Sequence, residues 1–143
     1  PKRLLSCQLS LLLVIGGAGV LGALARYAVS RALPAQAGHF PWATFWTNVS
    51  GSVLVGLSLV LLAERFPHVR FARPLLITGL IGAYTTFSTY TVETDLLLRD
   101  GHVATGLAYC LGSCLAGLTA VIGGTALARA ALSIAGTLRR RAA

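Results

Sequence analysis

Gly79-Leu80-Ile81-Gly82-Ala83-Tyr84-Thr85-Thr86-Phe87-Ser88-Thr89-Tyr90 is the stretch on which the fold turns. It sits inside an apolar segment, about 74–98, that is long enough for a membrane helix. Its composition nevertheless argues against a smooth one. Two glycines, which tolerate non-helical angles, precede four hydroxyl side chains at Thr85, Thr86, Ser88 and Thr89. Serine and threonine compete with the helical backbone for its hydrogen bonds. The run therefore predicts a break near the membrane midplane. Irregular backbone at that depth is tolerated only where it is buried in protein or lines a polar cavity. Two readings stand on these residues alone. One is a kink that serves helix packing. The other is a coordination site, with freed carbonyls for a cation and freed N–H groups for an anion.

The rest of the chain supplies the setting. Of 143 residues, 55% are hydrophobic and only 11% are charged, against about 25% charged in a soluble domain. The mean hydropathy is +0.75. So few charges cannot keep an outer surface wet, and lipid is the expected solvent. A bilayer core of about 30 Å takes about 20 apolar helical residues to cross. Four segments qualify, near 9–33, 42–63, 74–98 and 103–132, and together they form one all-α transmembrane domain. The apolar run after Pro1-Lys2-Arg3 continues past Gly16 to Ala25 with no cleavage-like break, so a retained first helix is expected rather than a signal peptide. Trp42 and Trp46 follow the first connector as interface anchors. Sixteen glycines, most of them inside helices, let helix backbones approach closely in lipid. Gly19, Gly22 and Ala23, then Gly51, Ser52 and Gly56, then Ser113, Gly117 and Ala120 are candidates for such packing.

The net charge of +8 falls in short clusters between apolar runs. That pattern fits flanking charge on anionic headgroups and not nucleic-acid binding. Nine of the twelve Lys and Arg residues fall on one side of the four spans and three (Arg26, Arg31 and Arg99) on the other. The imbalance predicts a multi-pass protein of the cell (inner or plasma) membrane with both termini mainly cytoplasmic. Cys7, Cys110 and Cys114 make no disulfide framework. Cys110 and Cys114 are four apart and share a helix face as small packing residues. His39, His68 and His102 have no zinc-like spacing.

Polar residues inside the spans narrow the function. Asn48, beside Thr47, Ser50 and Ser52, is costly in hydrocarbon unless paired, so it is expected to face the interior. Arg26, near the end of the first helix, either snorkels or lines a vestibule. Tyr109 and Ser113 share a face of the last helix. The four acids, Glu64, Glu93, Asp95 and Asp100, are read as lying at helix ends and in a loop. Proton-coupled exporters of this size need a carboxylate in the first helix, which this chain lacks. No nucleophile and base stand at useful spacing, so no enzyme is expected.

The 79–90 run with Glu93, together with Gly22-Ala23-Leu24-Ala25-Arg26-Tyr27 and Asn48-Val49-Ser50-Gly51-Ser52, resembles the signature of the Fluc (CrcB) fluoride channels. The resemblance covers most of the chain. It implies an antiparallel dimer of four-helix subunits, each with its third helix broken, that lets fluoride leave the cell passively. It also implies a structural sodium ion at the dimer interface, held by the backbone carbonyls of Gly82 and Thr85. The implied fluoride pathway comprises Asn48, Thr86, Phe87, Tyr90, Tyr109 and Ser113, with Arg26 in the vestibule. Three positions depart from the family pattern. Ala83 replaces a glycine, Thr47 an apolar residue, and Tyr90 a phenylalanine. The partner is either a second copy or an oppositely oriented paralogue. The competing functions are a non-conducting structural or assembly subunit and a small multidrug-type exporter.

Overall fold

Residues 2–142 are described by a computed structural model, with side chains described from Gln8 to Leu138. The apolar runs fold as helices, and among the described residues there is no strand. Helix α1 spans Lys2–Ala32 and α2 spans Trp42–Glu64. A π-helical segment follows at Pro74–Ile81, then the short α3 at Gly82–Tyr84, α4 at Phe87–Arg99 and α5 at Val103–Ala142. The turn into α5 is made by Gly101, whose φ of 82° lies in the left-handed region that glycine enters without penalty.

Among the described residues, three helices are long and apolar enough to cross a membrane: Gln8–Ala32, Trp42–Glu64 and Val103–Leu138. The stretch that reads in sequence as a third span is divided into pieces, each too short to cross alone. Helix α5, at 40 residues, is about 60 Å long at 1.5 Å per residue. That is roughly twice the hydrocarbon thickness.

The helices meet through small residues in two places. Helix α2 packs on α5, where a Cβ on Gly56 would strike the Val121 carbonyl oxygen and one on Gly124 would strike that of Val53. Helix α1 packs on the π-helical segment, where a Cβ on Gly22 would strike the Leu80 carbonyl oxygen. Gly79 lies against Ala18 and the Ile15 carbonyl in the same crossing. Side chains smaller than alanine are what bring these backbones together. Gly22 and Gly56 were legible as packing residues, whereas Gly124 was not singled out.

A separate cluster of Tyr90, Leu97 and Tyr109, with Phe40, Phe45 and Cys110 against it, joins α4 to α5. The outward faces are apolar: Leu12, Leu13, Leu21 and Leu24 on α1, and Leu111, Leu115, Leu118 and Ile122 on α5, are all exposed. So much exposed apolar surface is a face for lipid or for another chain, not for water.

Candidate functional site

The helical backbone stops after Tyr84. Thr85 has ψ 160° and Thr86 has φ −149° and ψ 123°, both extended, before α4 begins at Phe87. The side-chain chemistry around these two residues explains why the interruption is stable. The Thr86 N–H donates to Asn48 Oδ1 at 2.9 Å, and Asn48 Nδ2 donates to the Thr86 carbonyl at 3.0 Å. One amide side chain on α2 thus takes both backbone groups of the same residue. An amide carries one acceptor and two donors, so Asn48 can do this and still keep one N–H.

In an unbroken helix, the Thr86 N–H would donate to the Gly82 carbonyl and the Thr89 N–H to the Thr85 carbonyl. The first goes to Asn48. The second goes to the Thr86 side-chain oxygen at 3.2 Å. Gly82 and Thr85 are thereby stripped of their α-helical donors. The neighbouring Ala83 carbonyl accepts instead from Arg26 Nε at 3.1 Å. Oxygen donors of this kind suit a hard cation. Among the described residues no group of three or more His, Cys, Asp or Glu is placed to hold a metal.

Thr86 also caps α4, its side chain accepting from Thr89 N. Threonine's hydroxyl replaces a missing backbone partner at a helix start. Thr86→Val is expected to lower stability by about 1 kcal/mol, read by denaturant unfolding in detergent. A loss under a few tenths would show that the cap is idle.

Two faces flank the interruption. On one lies a cleft of about 350 Å³ lined by residues including Arg26, Thr44, Thr47, Thr86, Thr89 and Glu93. Glu93, which the sequence reading placed towards a helix end, sits halfway along α4 and faces inward. It accepts from Thr44 Oγ1 at 3.0 Å and from the Tyr109 hydroxyl at 2.7 Å. Tyr109 is fully buried, and its hydroxyl proton is committed to that carboxylate. Arg26 lies in the same cleft as Glu93 while it caps Ala83.

On the other face runs a groove of about 360 Å³ lined by residues including Asn48, Phe87, Tyr90, Ser113 and Cys114. It adjoins a smaller pocket of about 270 Å³ that Asn48 and Phe87 share with Thr85 and Thr86. Phe87 is 79% exposed, with its ring centroid 5.8 Å from that of Tyr90. Ser113 is buried and its hydroxyl has no hydrogen-bond partner. Tyr90 is buried too, and its phenol donates to the Cys110 carbonyl at 2.9 Å.

The structure therefore gathers Asn48, Phe87, Tyr90 and Ser113 around one groove, with Thr86 beside them. Tyr109 is set behind the groove wall, and Arg26 lies across the interruption. Glu93 and Thr44 were missed as site residues. Glu93 stands in the quoted signature without a role, and nothing local marks Thr44, because only the tertiary fold brings α2, α4 and α5 to a common point.

A family profile described as CrcB-like protein, Camphor Resistance (CrcB), matches residues 12–125. The chain belongs to the CrcB family. Relatives match over most of this chain. Fluoride-specific ion channel FluC 2 of Nocardia farcinica is 43% identical over 129 residues, covering 90% of this CrcB chain and 92% of the relative. Fluoride-specific ion channel FluC of Rhizobium meliloti is 41% identical over 124 residues, covering 83% and 96%. Fluoride-specific ion channel FluC 1 of Streptomyces coelicolor is 45% identical over 114 residues, covering 80% and 74%. The match to the CrcB profile includes Arg26, Asn48, the whole interruption and the groove wall formed by α5.

Proposed function

We propose that this chain is a subunit of a fluoride-selective channel that lets fluoride leave the cell passively. The observation that carries the reading is the groove beside the interruption. It offers the unpartnered hydroxyl of buried Ser113 and the remaining N–H of Asn48, with the rings of Phe87 and Tyr90 alongside. Fluoride holds its water tightly, so a path for it must supply donors in exchange. Ring edges carry partial positive charge, and neutral hydroxyl and amide donors bind weakly enough to release the ion. No bond is made or broken, so no catalytic group is required. The relatives named fluoride-specific ion channels support the same reading.

In this reading the pieces from Pro74 to Arg99 stack as a fourth crossing, with Thr85 and Thr86 near the midplane. Two subunits of opposite orientation then bring their interruptions together. The carbonyls of Gly82 and Thr85, freed as described, would hold a structural sodium ion between them. That ion supplies a fixed positive charge that ties the two broken helices. Arg26 and the cleft beside it form the aqueous vestibule. The membrane is the cell's inner or plasma membrane, with both termini on the cytoplasmic side. The partner is a second copy or a paralogue, and the numbered names FluC 1 and FluC 2 among the relatives keep the paralogue in view.

The test is fluoride efflux from liposomes, followed with a fluoride electrode and with chloride as control. Efflux of fluoride but not chloride from liposomes holding this chain alone is the expected result for a homodimer. Efflux only when an oppositely oriented paralogue is co-reconstituted assigns the heterodimer. No fluoride flux in either case ends the channel reading.

A further inference from the structure

Tyr90 stands against two sulfurs. Its hydroxyl oxygen is 3.2 Å from Cys110 Sγ and 3.3 Å from Cys114 Sγ. Both cysteines are free. They are one helical turn apart on α5, and residues at that spacing face the same way. Because both sulfurs lie within 3.3 Å of one oxygen, they can be no further from each other than twice that distance. A metal–thiolate bond is about 2.3 Å, so a linear two-coordinate cation asks for a sulfur separation of about 4.6 Å, which lies inside that bound. Cys114 is exposed and lines the same groove as Asn48, Phe87 and Ser113, which provides an approach. Thiolates select soft cations over hard ones. The hard-oxygen carbonyls of Gly82 and Thr85 do not compete for the same ions.

We propose that Cys110 and Cys114, closed off by the Tyr90 phenol, form a two-thiol site for a soft d10 cation in the wall of the groove, and that filling it stops fluoride flow. The second half rests on the channel reading above, and the first half does not. Binding exchanges two S–H protons for two metal–sulfur bonds, with no change of oxidation state. The Tyr90 hydroxyl keeps its hydrogen bond to the Cys110 carbonyl and holds the ring in place. With two thiolates a divalent cation leaves the site with no net charge, so it acts by bulk: the metal and its two sulfurs occupy the groove wall beside Asn48, Phe87 and Ser113 and narrow the path.

Mercury(II) is the probe, in a Cys7→Ser background so that only these two thiols remain. One equivalent per chain is expected to abolish both titratable thiols and to produce a sulfur-to-mercury charge-transfer band. Fluoride efflux should fall at least tenfold and recover with excess dithiothreitol. Cys114→Ser and Cys110→Ser should each weaken mercury binding by about a hundredfold and leave efflux resistant. Two equivalents bound independently, or unchanged affinity in Cys114→Ser, overturns the site. Stoichiometric binding with full efflux overturns the claim that this groove wall borders the path. Absence of fluoride efflux before mercury is added is a failure of the channel reading instead.

Discussion

Asn48→Ala is expected to reduce fluoride efflux to background and to lower stability by about 3 kcal/mol. The argument is one of unpaired groups. The Asn48 amide is the partner of both the Thr86 N–H and the Thr86 carbonyl. Removing it leaves two part-buried backbone groups without their side-chain partner. A buried orphan costs about 1–3 kcal/mol, and partial exposure puts these two in the lower half of that range. The chain can recover one bond by returning the Thr86 N–H to the Gly82 carbonyl. That recovery re-forms helix across the interruption and re-aims everything after it. Function is then lost even where folding survives. The comparison variant is Thr119→Ala, whose hydroxyl bonds only within its own helix on an exposed face. It should change stability by no more than about 0.5 kcal/mol and leave efflux intact. Wild-type stability in Asn48→Ala, with the Thr86 amide still protected from exchange, would mean that something else holds the break.

The second large effect is a reversal of sign between two glycines of one helix. Gly16→Ala meets nothing within 4 Å, whereas the added Cβ of Gly22→Ala meets the Leu80 carbonyl oxygen and comes within 3.0 Å of Tyr84 N. Alanine is the better helix former by about 1 kcal/mol. Gly16→Ala should therefore stabilise by up to that amount. At Gly22 the obstacle is backbone, which cannot step aside as a flexible side chain can. Overpacking of this kind costs about 1–3 kcal/mol and outweighs the helical gain. The strain falls on residues 80–84, immediately before the interruption, so conduction should drop more than stability does. Unfolding in detergent and liposome efflux on the same preparations check both. Equal behaviour of the two variants would remove the close α1 crossing from the account.

Much of the architecture is written in residue types. An all-helical membrane protein follows from the scarcity of charge and the length of the apolar runs, and three such helices are present. The glycines and hydroxyls that surround Thr85 and Thr86 are visible in a linear reading. The bonds that fix them are not. That Asn48 is spent on a backbone, rather than left wholly free for an ion, depends on the register of α2 against the interruption. Glu93 shows the same limit. In sequence it is an acid seven residues before an aspartate and a turn. In space it accepts hydrogen bonds from Thr44 and Tyr109 on two other helices. The π-helical stretch Pro74–Ile81 was equally hidden. Leucine, isoleucine and threonine there carry no local preference for a wider turn, which packing against α1 must impose. Tyr90 was readable as a departure from the family's aromatic pattern. The destination of its hydroxyl, a carbonyl of α5, required the fold.

That wide stretch has one more effect. The N–H of Gly82 reaches back to the carbonyl of Ile77, five residues earlier, as well as to Gly79. Such turns advance less than the about 100° per residue of an α-helix, so Pro74–Ile81 acts as an angular spacer. It sets the compass bearing at which α3 arrives, and through it the direction in which the oxygens of Gly82 and Thr85 point. Two chains could carry the same residues from Gly82 onward and still aim them differently, if one wound the preceding eight residues more tightly.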